Sequence, residues 1–191
     1  MKKSVTLFCL LLLFVSGCGK ELEIRQIDAD VLILAQTFDE LVDVSNLIIR
    51  AKVLSGKVNV EDTPEVGGYT ITKLQVLETF KGDVVPNEIV TITEYYYQDK
   101  DGIWTYENYL PANENQEYIL FLMKDDTDSD WSGMYYPTDL ERGKFPLKSL
   151  ILDNLDSIDS LSHADLEIWK DPDNEYRELY KQVIEKYYPN H

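Results

Sequence analysis

Cysteine and histidine are the scarcest chemically reactive residues in this sequence. Its 191 residues include two cysteines, Cys9 and Cys18, and two histidines, His163 and His191. The histidines are too far apart in the sequence for the ligand spacing of a histidine-based zinc site. Cys9 lies in an N-terminal apolar segment that we expect to be removed, so one cysteine remains and no internal disulfide can form. Motifs of hydrolases, kinases and dinucleotide-binding proteins are also missing, and no cofactor is predicted.

Positive charge is scarce as well. The sequence has 18 Lys and Arg residues against 35 Asp and Glu residues, which gives a formal net charge of −17. Binding to nucleic acid depends on basic residues that displace counterions from phosphates, so this composition excludes a nucleic-acid partner. A partner protein of basic character remains open, although charge of one sign also keeps an exposed protein soluble without any partner.

Outside the first residues the sequence has no long hydrophobic run. Two lysines precede an apolar segment over residues 5–15, which as a helix would span about 16 Å, too short for a ~30 Å hydrocarbon core. The following Val-Ser-Gly-Cys, ending at Cys18, resembles the lipobox of bacterial lipoproteins. We therefore predict a signal peptide over residues 1–17, lipid on Cys18, and attachment to the extracytoplasmic face of the cell membrane. Loss of the two lysines takes the formal charge from −17 to −19.

The mature chain is predicted to form one main domain with a helical appendage. Residues 18–35 are interpreted as the lipidated N-terminus and tether. Residues 36–147 are assigned to a barrel domain, and residues 148–191 to a C-terminal helical extension.

Two helices are predicted to flank the strands. Thr37 and Glu40 have the spacing of a capping box, which indicates a short helix after Thr37. Asp171, followed by proline, is typical of a helix start. From Tyr176 onward, apolar residues recur at helical spacing, so one face of an amphipathic C-terminal helix should pack against the barrel.

The remaining signals predict strands. Apolar and polar residues alternate most clearly over residues 69–77, whereas the apolar run 118–123 predicts a strand buried on both faces. Residues 80–83 are predicted as a turn. Further strands are predicted at 47–54, 88–94, 103–106, 134–136 and 143–145. The expected fold is mainly β with flanking helices, an OB-like antiparallel barrel of five to six strands.

Three segments resemble the tissue inhibitors of metalloproteinases and the related netrin-like modules. They are residues 43–55, residues 69–82 ending in Phe-Lys-Gly, and residues 116–120 with the sequence Gln-Glu-Tyr-Ile-Leu. The resemblance implies an OB-type barrel and no particular activity. In that family an N-terminal Cys-x-Cys chelates the zinc of the protease, but here no second cysteine follows Cys18, and lipid would occupy it. Metalloproteinase inhibition is therefore not expected.

The least ordinary feature of the sequence is its aromatic content, with thirteen tyrosines and three tryptophans. Exposed aromatic side chains bury a large area at an interface with little loss of side-chain entropy. Four residues of one predicted hairpin region are the candidate binding residues: Tyr95, Tyr97, Trp104 and Tyr106. Acidic residues are expected to form its rim: Glu94, Asp99, Asp101 and Glu107. The competing interpretation is that tyrosine is a favoured strand residue and needs no partner.

Carboxylates suggest two further interpretations. Asp126, Asp128 and Asp130 have the alternate spacing of calcium ligands, but Trp131 stands where an EF-type loop needs glycine, which favours an ordinary solvated loop. Two carboxylates flanking a cleft could also serve a glycoside hydrolase. We predict a binding module that is not an enzyme, with a basic envelope protein or a cell-wall polymer as partner. The alternative is a cell-envelope hydrolase that uses paired carboxylates.

Overall fold

The computed structural model of the protein describes residues 23–28, 34–61, 67–127, 131–153, 155–170 and 174–189. The predicted signal peptide, Cys18, Asp128 and Asp130 lie outside these ranges. The strands are β1 Ile24–Ile27, β2 Leu47–Val53, β3 Val58–Glu61, β4 Gly68–Lys81, β5 Ile89–Glu94, β6 Tyr96–Gln98, β7 Ile103–Tyr106, β8 Glu117–Lys124, β9 Tyr135–Pro137 and β10 Lys144–Pro146. The helices are α1 Phe38–Val44, α2 Ser149–Leu152, α3 His163–Leu166 and α4 Glu175–Tyr187, with 3₁₀ turns at Leu140–Gly143 and Leu155–Ser160.

Five strands close into a barrel, which confirms the predicted fold class. They follow the order β8-β2-β4-β5-β9, and β9 pairs back onto β8. The pairings are antiparallel except between β5 and β9, which run parallel and meet at Ile92 and Tyr135. Strands β3 and β10 pair with β4 and β8 outside the ring. Closure satisfies the backbone groups that the edges of an open sheet would expose.

A second, three-stranded sheet lies beside the barrel, in the order β1-β7-β6. The antiparallel β6–β7 hairpin was predicted, whereas the parallel β1–β7 pair was not. Four residues are too few to show a hydrophobic alternation, so neither β1 nor β3 could be identified from the sequence. Strand β1 lies within the predicted tether, residues 18–35. Because β1 pairs with β7, residues 24–27 belong to the folded domain.

Apolar side chains fill the interior of the barrel, and a second core lies under the C-terminal helix. The interior residues include Leu47, Ile49, Ala51, Val53, Leu74, Val76, Val90, Ile92, Leu120 and Leu122. On the opposite face of β8, Phe121 packs edge-to-face against Phe145, with ring centroids 5.7 Å apart, in the core that α4 covers. Strand β8 is thus buried on both faces, as its continuous apolar run predicted.

The helices confirm most of the sequence signals. Thr37 and Glu40 form the predicted capping box, and the apolar stripe of α4 is buried. Helix α4 begins at Glu175, later than the predicted start at Asp171, and the preceding Asn174 has a left-handed backbone with φ 58°. Residues 171–173 lie outside the described ranges.

The turn predicted at residues 80–83 begins later than expected. Strand β4 continues through Lys81, which pairs with Ile48. The Phe80 ring packs 4.7 Å from the ring of Tyr187. The chain reverses only at Gly82, whose φ of +99° favours glycine. Tertiary packing from α4 therefore lengthens the strand beyond its local signal.

Candidate functional site

The structure divides the predicted aromatic residues between two surfaces. Tyr97, Trp104 and Tyr106 lie on the outer face of the small sheet, since Tyr97 is the register partner of Trp104 and Tyr106 is two residues further along the same strand. Tyr95 lies at the bend between β5 and β6. It packs against a different set of rings on the outside of the barrel. The bend interrupts the alternation that would have placed Tyr95 and Tyr97 together.

The outer face of the small sheet carries a row of stacked side chains. The rings of Tyr97 and Trp104 are almost parallel, at 8°, with centroids 6.2 Å apart. The guanidinium carbon of Arg25 lies 5.0 Å from the Trp104 ring centroid. Asp99 accepts a hydrogen bond from the indole nitrogen of Trp104 at 3.0 Å. On its other side, Tyr97 lies so close to Gly68 that a Cβ there would approach the ring to 3.0 Å. This row joins three strands and the start of β4.

Gly102 holds β1 against β7. The amide of Ile103 donates to the carbonyl of Glu23 at 2.9 Å, and a Cβ on Gly102 would overlap that carbonyl oxygen. Gly102→Ala should therefore displace β1 and reduce the free energy of unfolding by about 1–3 kcal/mol, the usual cost of overpacking. Amide hydrogen exchange should show lost protection at Arg25 and Gln26. Lys100→Ala, an exposed change in the same turn, is the control; unchanged protection in the glycine variant would contradict the assignment.

Tyr95, Trp131 and Tyr136 form a group that we call the aromatic corner. Their ring centroids are 6.2 Å apart for Tyr95 and Trp131, 6.3 Å for Tyr95 and Tyr136, and 6.3 Å for Trp131 and Tyr136. The interplanar angles are 69°, 81° and 54°, so the first two pairs are T-shaped and the pair of Trp131 and Tyr136 is tilted. All three side chains are partly exposed. Tyr69 packs behind Trp131 at 5.2 Å, and the buried Tyr109 behind Tyr95 at 6.0 Å.

Closure of the barrel assembles the aromatic corner. Tyr95 follows β5, and Tyr136 lies on β9. These two strands are neighbours only because β9 pairs in parallel with β5. Trp131 lies in the segment that leads into β9. Neither Trp131 nor Tyr136 was predicted to lie beside Tyr95, since about forty residues separate them from it and no local pattern indicates a parallel pairing through one residue pair.

Carboxylates surround the aromatic corner. Burial raises the pKa of Tyr136, and the nearby charges of Asp125 and Asp126 raise it further. Burial also raises the pKa of Tyr95, with contributions from Tyr136 and Asp139. Asp126 is 77% exposed and lies 3.7 Å from the ammonium of Lys124. The corner therefore combines partly exposed rings with a negative electrostatic environment.

Glu94, predicted as part of an exposed acidic rim, is instead buried at one end of the barrel interior. Its side chain is 0% exposed. The prediction was wrong because Glu94 lies on the inward-facing side of β5, together with Val90 and Ile92. It accepts hydrogen bonds from the Lys57 ammonium at 2.7 Å, the Thr72 hydroxyl, the Tyr109 hydroxyl at 2.7 Å and the Ala112 amide at 2.9 Å. Four donors compensate for the loss of hydration around this charge.

Lys144 is a second buried charge at the same end of the barrel. Its ammonium is 3.2 Å from a carboxylate oxygen of Glu167 and lies 5.3 Å and 5.5 Å from the ring centroids of Tyr109 and Tyr118. Burial lowers the pKa of Lys144, and the attraction of Glu167 and then Glu94 opposes that shift. Ring faces and one carboxylate thus replace water around this ammonium.

Glu167 links the C-terminal extension to the barrel through ion pairs and hydrogen bonds. The residue has a left-handed backbone, φ 57°, directly after α3. Its carboxylate contacts Lys144 at 3.2 Å, Lys148 at 2.7 Å, the Tyr118 hydroxyl at 2.7 Å and the Asn113 side-chain amide at 2.7 Å. Burial raises its pKa, but the two lysines and the Tyr118 hydroxyl outweigh that effect and the pKa is lowered. No sequence pattern indicated this partner set.

Most residues of the predicted calcium and lipid sites lie outside the described ranges. Asp126 pairs with Lys124, while Asp128 and Asp130, like Cys18, lie outside the described ranges. Among the residues with described positions, no three His, Cys, Asp or Glu side chains are grouped as a metal ion would require. None of the helices within those ranges is both long enough and apolar enough to cross a membrane.

The comparison with known proteins adds no family assignment. The closed five-stranded barrel is compatible with an OB-like barrel, which is the part of the predicted resemblance that the structure supports. No protein-family model matches the sequence, and no curated protein matches it with significant similarity.

Proposed function

We propose that this protein is a lipid-anchored, extracytoplasmic binding module that captures a basic protein through the aromatic corner. One observation carries the proposal. Tyr95, Trp131 and Tyr136 are three mutually packed, partly exposed rings on and beside the barrel. Rings held in place lose little entropy when a partner covers them. The filled barrel interior supports a site on the outer surface.

The charge of the protein favours a basic partner. The formal net charge is −17, and Asp126 is exposed beside the corner. Complementary charge speeds encounter and selects against acidic partners. The stacked row of Tyr97 and Trp104 is a weaker candidate than the corner, because its ring faces already contact each other, Arg25 and Gly68.

The alternative, a hydrolase with paired carboxylates, gains no specific support. The buried carboxylates Glu94 and Glu167 each contact four internal donors or cations. Such saturation suits a structural role, whereas a general acid or base must exchange a proton with substrate or water.

The proposed anchor would keep the module near the membrane. Five peptide steps separate Cys18 from Glu23, and a chain covers at most about 3.6 Å per residue. Lipid on Cys18 would therefore hold Glu23 within roughly 18 Å of the anchored cysteine. We expect Cys18→Ala to move the protein from the membrane fraction to the soluble fraction. Mass spectrometry of the native protein would show whether the acyl chains are present.

Crosslinking in intact cells tests the binding site. A Trp131→Ala/Tyr136→Ala variant should lose at least about tenfold in recovery of its partner, because two anchor rings are removed. A Tyr97→Ala/Trp104→Ala variant should retain capture. Val85→Ala/Ile89→Ala, which removes two exposed apolar side chains elsewhere, is the matched control. Circular dichroism would check that each variant is folded. Equal recovery by the corner variant and the native protein would contradict the proposal.

A further inference from the structure

We infer that the aromatic corner recognises an alkylammonium group, presented by a lysine side chain of the basic partner. The inference rests on the proposed function and adds the chemistry of the ligand. It stands on the arrangement of Tyr95, Trp131 and Tyr136, on the carboxylates beside them, and on how this protein surrounds its own lysines.

The three rings are spaced to contact one cation together. Their centroids form a nearly equilateral triangle with sides of 6.2 to 6.3 Å. A point about 3 Å above the centre of that triangle lies about 4.7 Å from each centroid, inside the ~6 Å reach of a cation–π contact. The rings are inclined to one another by 54° to 81°. A compact ammonium can contact several inclined rings from one position, whereas a planar guanidinium stacks on a single flat ring.

The carboxylates supply the complementary charge. Asp126 is 77% exposed, and its carboxylate already lies 3.7 Å from the ammonium of Lys124, which is 43% exposed. An exposed pair of this kind contributes little to stability and exchanges readily. A partner lysine at the rings would therefore meet a nearby carboxylate that its present lysine neighbour holds only weakly. Asp139, close to Tyr95, adds to the same negative field.

Inside the protein, two lysine ammonium groups contact tyrosine rings and a carboxylate. Lys144 lies 5.3 Å and 5.5 Å from two tyrosine ring centroids, with the carboxylate of Glu167 at 3.2 Å. Lys57 similarly lies 5.1 Å from the Tyr96 ring centroid and 2.7 Å from Glu94. In both cases tyrosine rings and a carboxylate together enclose an ammonium. The aromatic corner offers these two components on the surface.

Calorimetric titration with matched peptides tests the inference. The purified full-length protein is titrated with a short Lys-Gly repeat peptide and with the same peptide acetylated on every lysine Nε. Acetylation keeps the shape and removes the charge, so we expect at least about tenfold weaker binding. Trp131→Ala or Tyr136→Ala should weaken binding of the charged peptide by about 3- to 30-fold.

Two carboxyl-to-amide variants separate a local site from general attraction. Asp126→Asn changes an exposed side chain, so it should leave the fold intact and still weaken binding by about 2- to 5-fold. Glu78→Gln removes another exposed charge, 52% exposed and remote in the sequence, and should leave binding unchanged. Equal weakening by both variants, or equal affinity for the acetylated peptide, would overturn the inference.

If cells show capture through the corner while the peptides are not distinguished, the proposed function stands and this inference fails. If the peptides are distinguished but cells show no capture, the lysine site stands and the proposed function fails.

Discussion

Above pH 10 the protein is expected to unfold in one steep transition. Burial raises the pKa values of five buried tyrosines: Tyr96, Tyr109, Tyr118, Tyr176 and Tyr180. In the unfolded chain a tyrosine ionises near pH 10, whereas in the folded protein these side chains keep their protons. The unfolded state therefore binds fewer protons above pH 10. Stability should then fall by about 1.4 kcal/mol per pH unit for each such tyrosine.

The hydroxyl contacts explain why these protons are held. Tyr109 donates to Glu94 and Tyr118 donates to Glu167, both at 2.7 Å. Tyr176 donates to the carbonyl of Lys144 at 2.7 Å. Ionisation would place phenolates against carboxylates or a carbonyl in a buried site. Lys144 acts in the opposite direction, because its lowered pKa lets the folded state release a proton first as the pH rises towards about 10.5. This contribution ends near pH 10.5, where the lysine of the unfolded chain also loses its proton, so it does not offset the effect of the tyrosines above that pH.

Alkaline titration followed by circular dichroism and by tyrosinate absorbance would test this expectation. The tyrosinate absorbance of the five buried tyrosines should appear together with the change in circular dichroism, since these tyrosines ionise only when the protein unfolds. Tyr180→Phe should make the loss of stability with pH shallower by the contribution of one tyrosine. Tyr69→Phe, at a partly exposed ring, is the matched control. Gradual appearance of all the tyrosinate signal in a protein that stays folded would contradict the prediction.

Glu94→Gln is expected to reduce the free energy of unfolding by about 3–5 kcal/mol, the usual effect of removing one partner of a buried ion pair. Glu94 is 0% exposed and Lys57 is 12% exposed at its side chain, so water cannot replace the lost carboxylate charge. The new amide NH₂ would also face donor groups, because every partner of Glu94 is a donor. A glutamine offers one acceptor oxygen where the site requires two.

Urea denaturation of the glutamine variant would measure this effect. Glu78→Gln makes the same chemical change at a 52% exposed carboxylate that lies 3.7 Å from Arg50, and it should alter stability by less than about 1 kcal/mol. A Glu94→Leu/Lys57→Met double variant removes both charges and should recover part of the lost stability. A Glu94→Gln protein as stable as the native one would show that the charge is not needed for this packing.

Much of the local structure could be predicted because its causes are local. The capping box of Thr37 and Glu40 depends on residues three apart, and the buried face of α4 depends on helical periodicity. The alternation over residues 69–77 and the apolar run over residues 118–123 likewise indicate which side chains are buried. A barrel was the expected way to combine those strands.

The candidate site could be predicted only in part. Tyr95 is a predicted binding residue that also belongs to the aromatic corner, but its predicted neighbours Tyr97 and Trp104 lie on another surface. Its actual neighbours Trp131 and Tyr136 are joined to it by the parallel pairing of β5 with β9. One aligned residue pair leaves no periodic trace in the sequence, so no local pattern could have indicated it.

The sequence by itself determined most of the helices and the barrel strands, the negative net charge and the side chains available for chemistry. Only the tertiary structure decided which charges are buried and which rings meet. Glutamate is usually found on the surface. Glu94 is nevertheless buried, because Lys57, Tyr109 and Ala112 converge on it from distant segments. The physical reason is that periodicity reports the average environment of a strand or helix face, whereas the environment of one charge depends on contacts between residues remote in the chain.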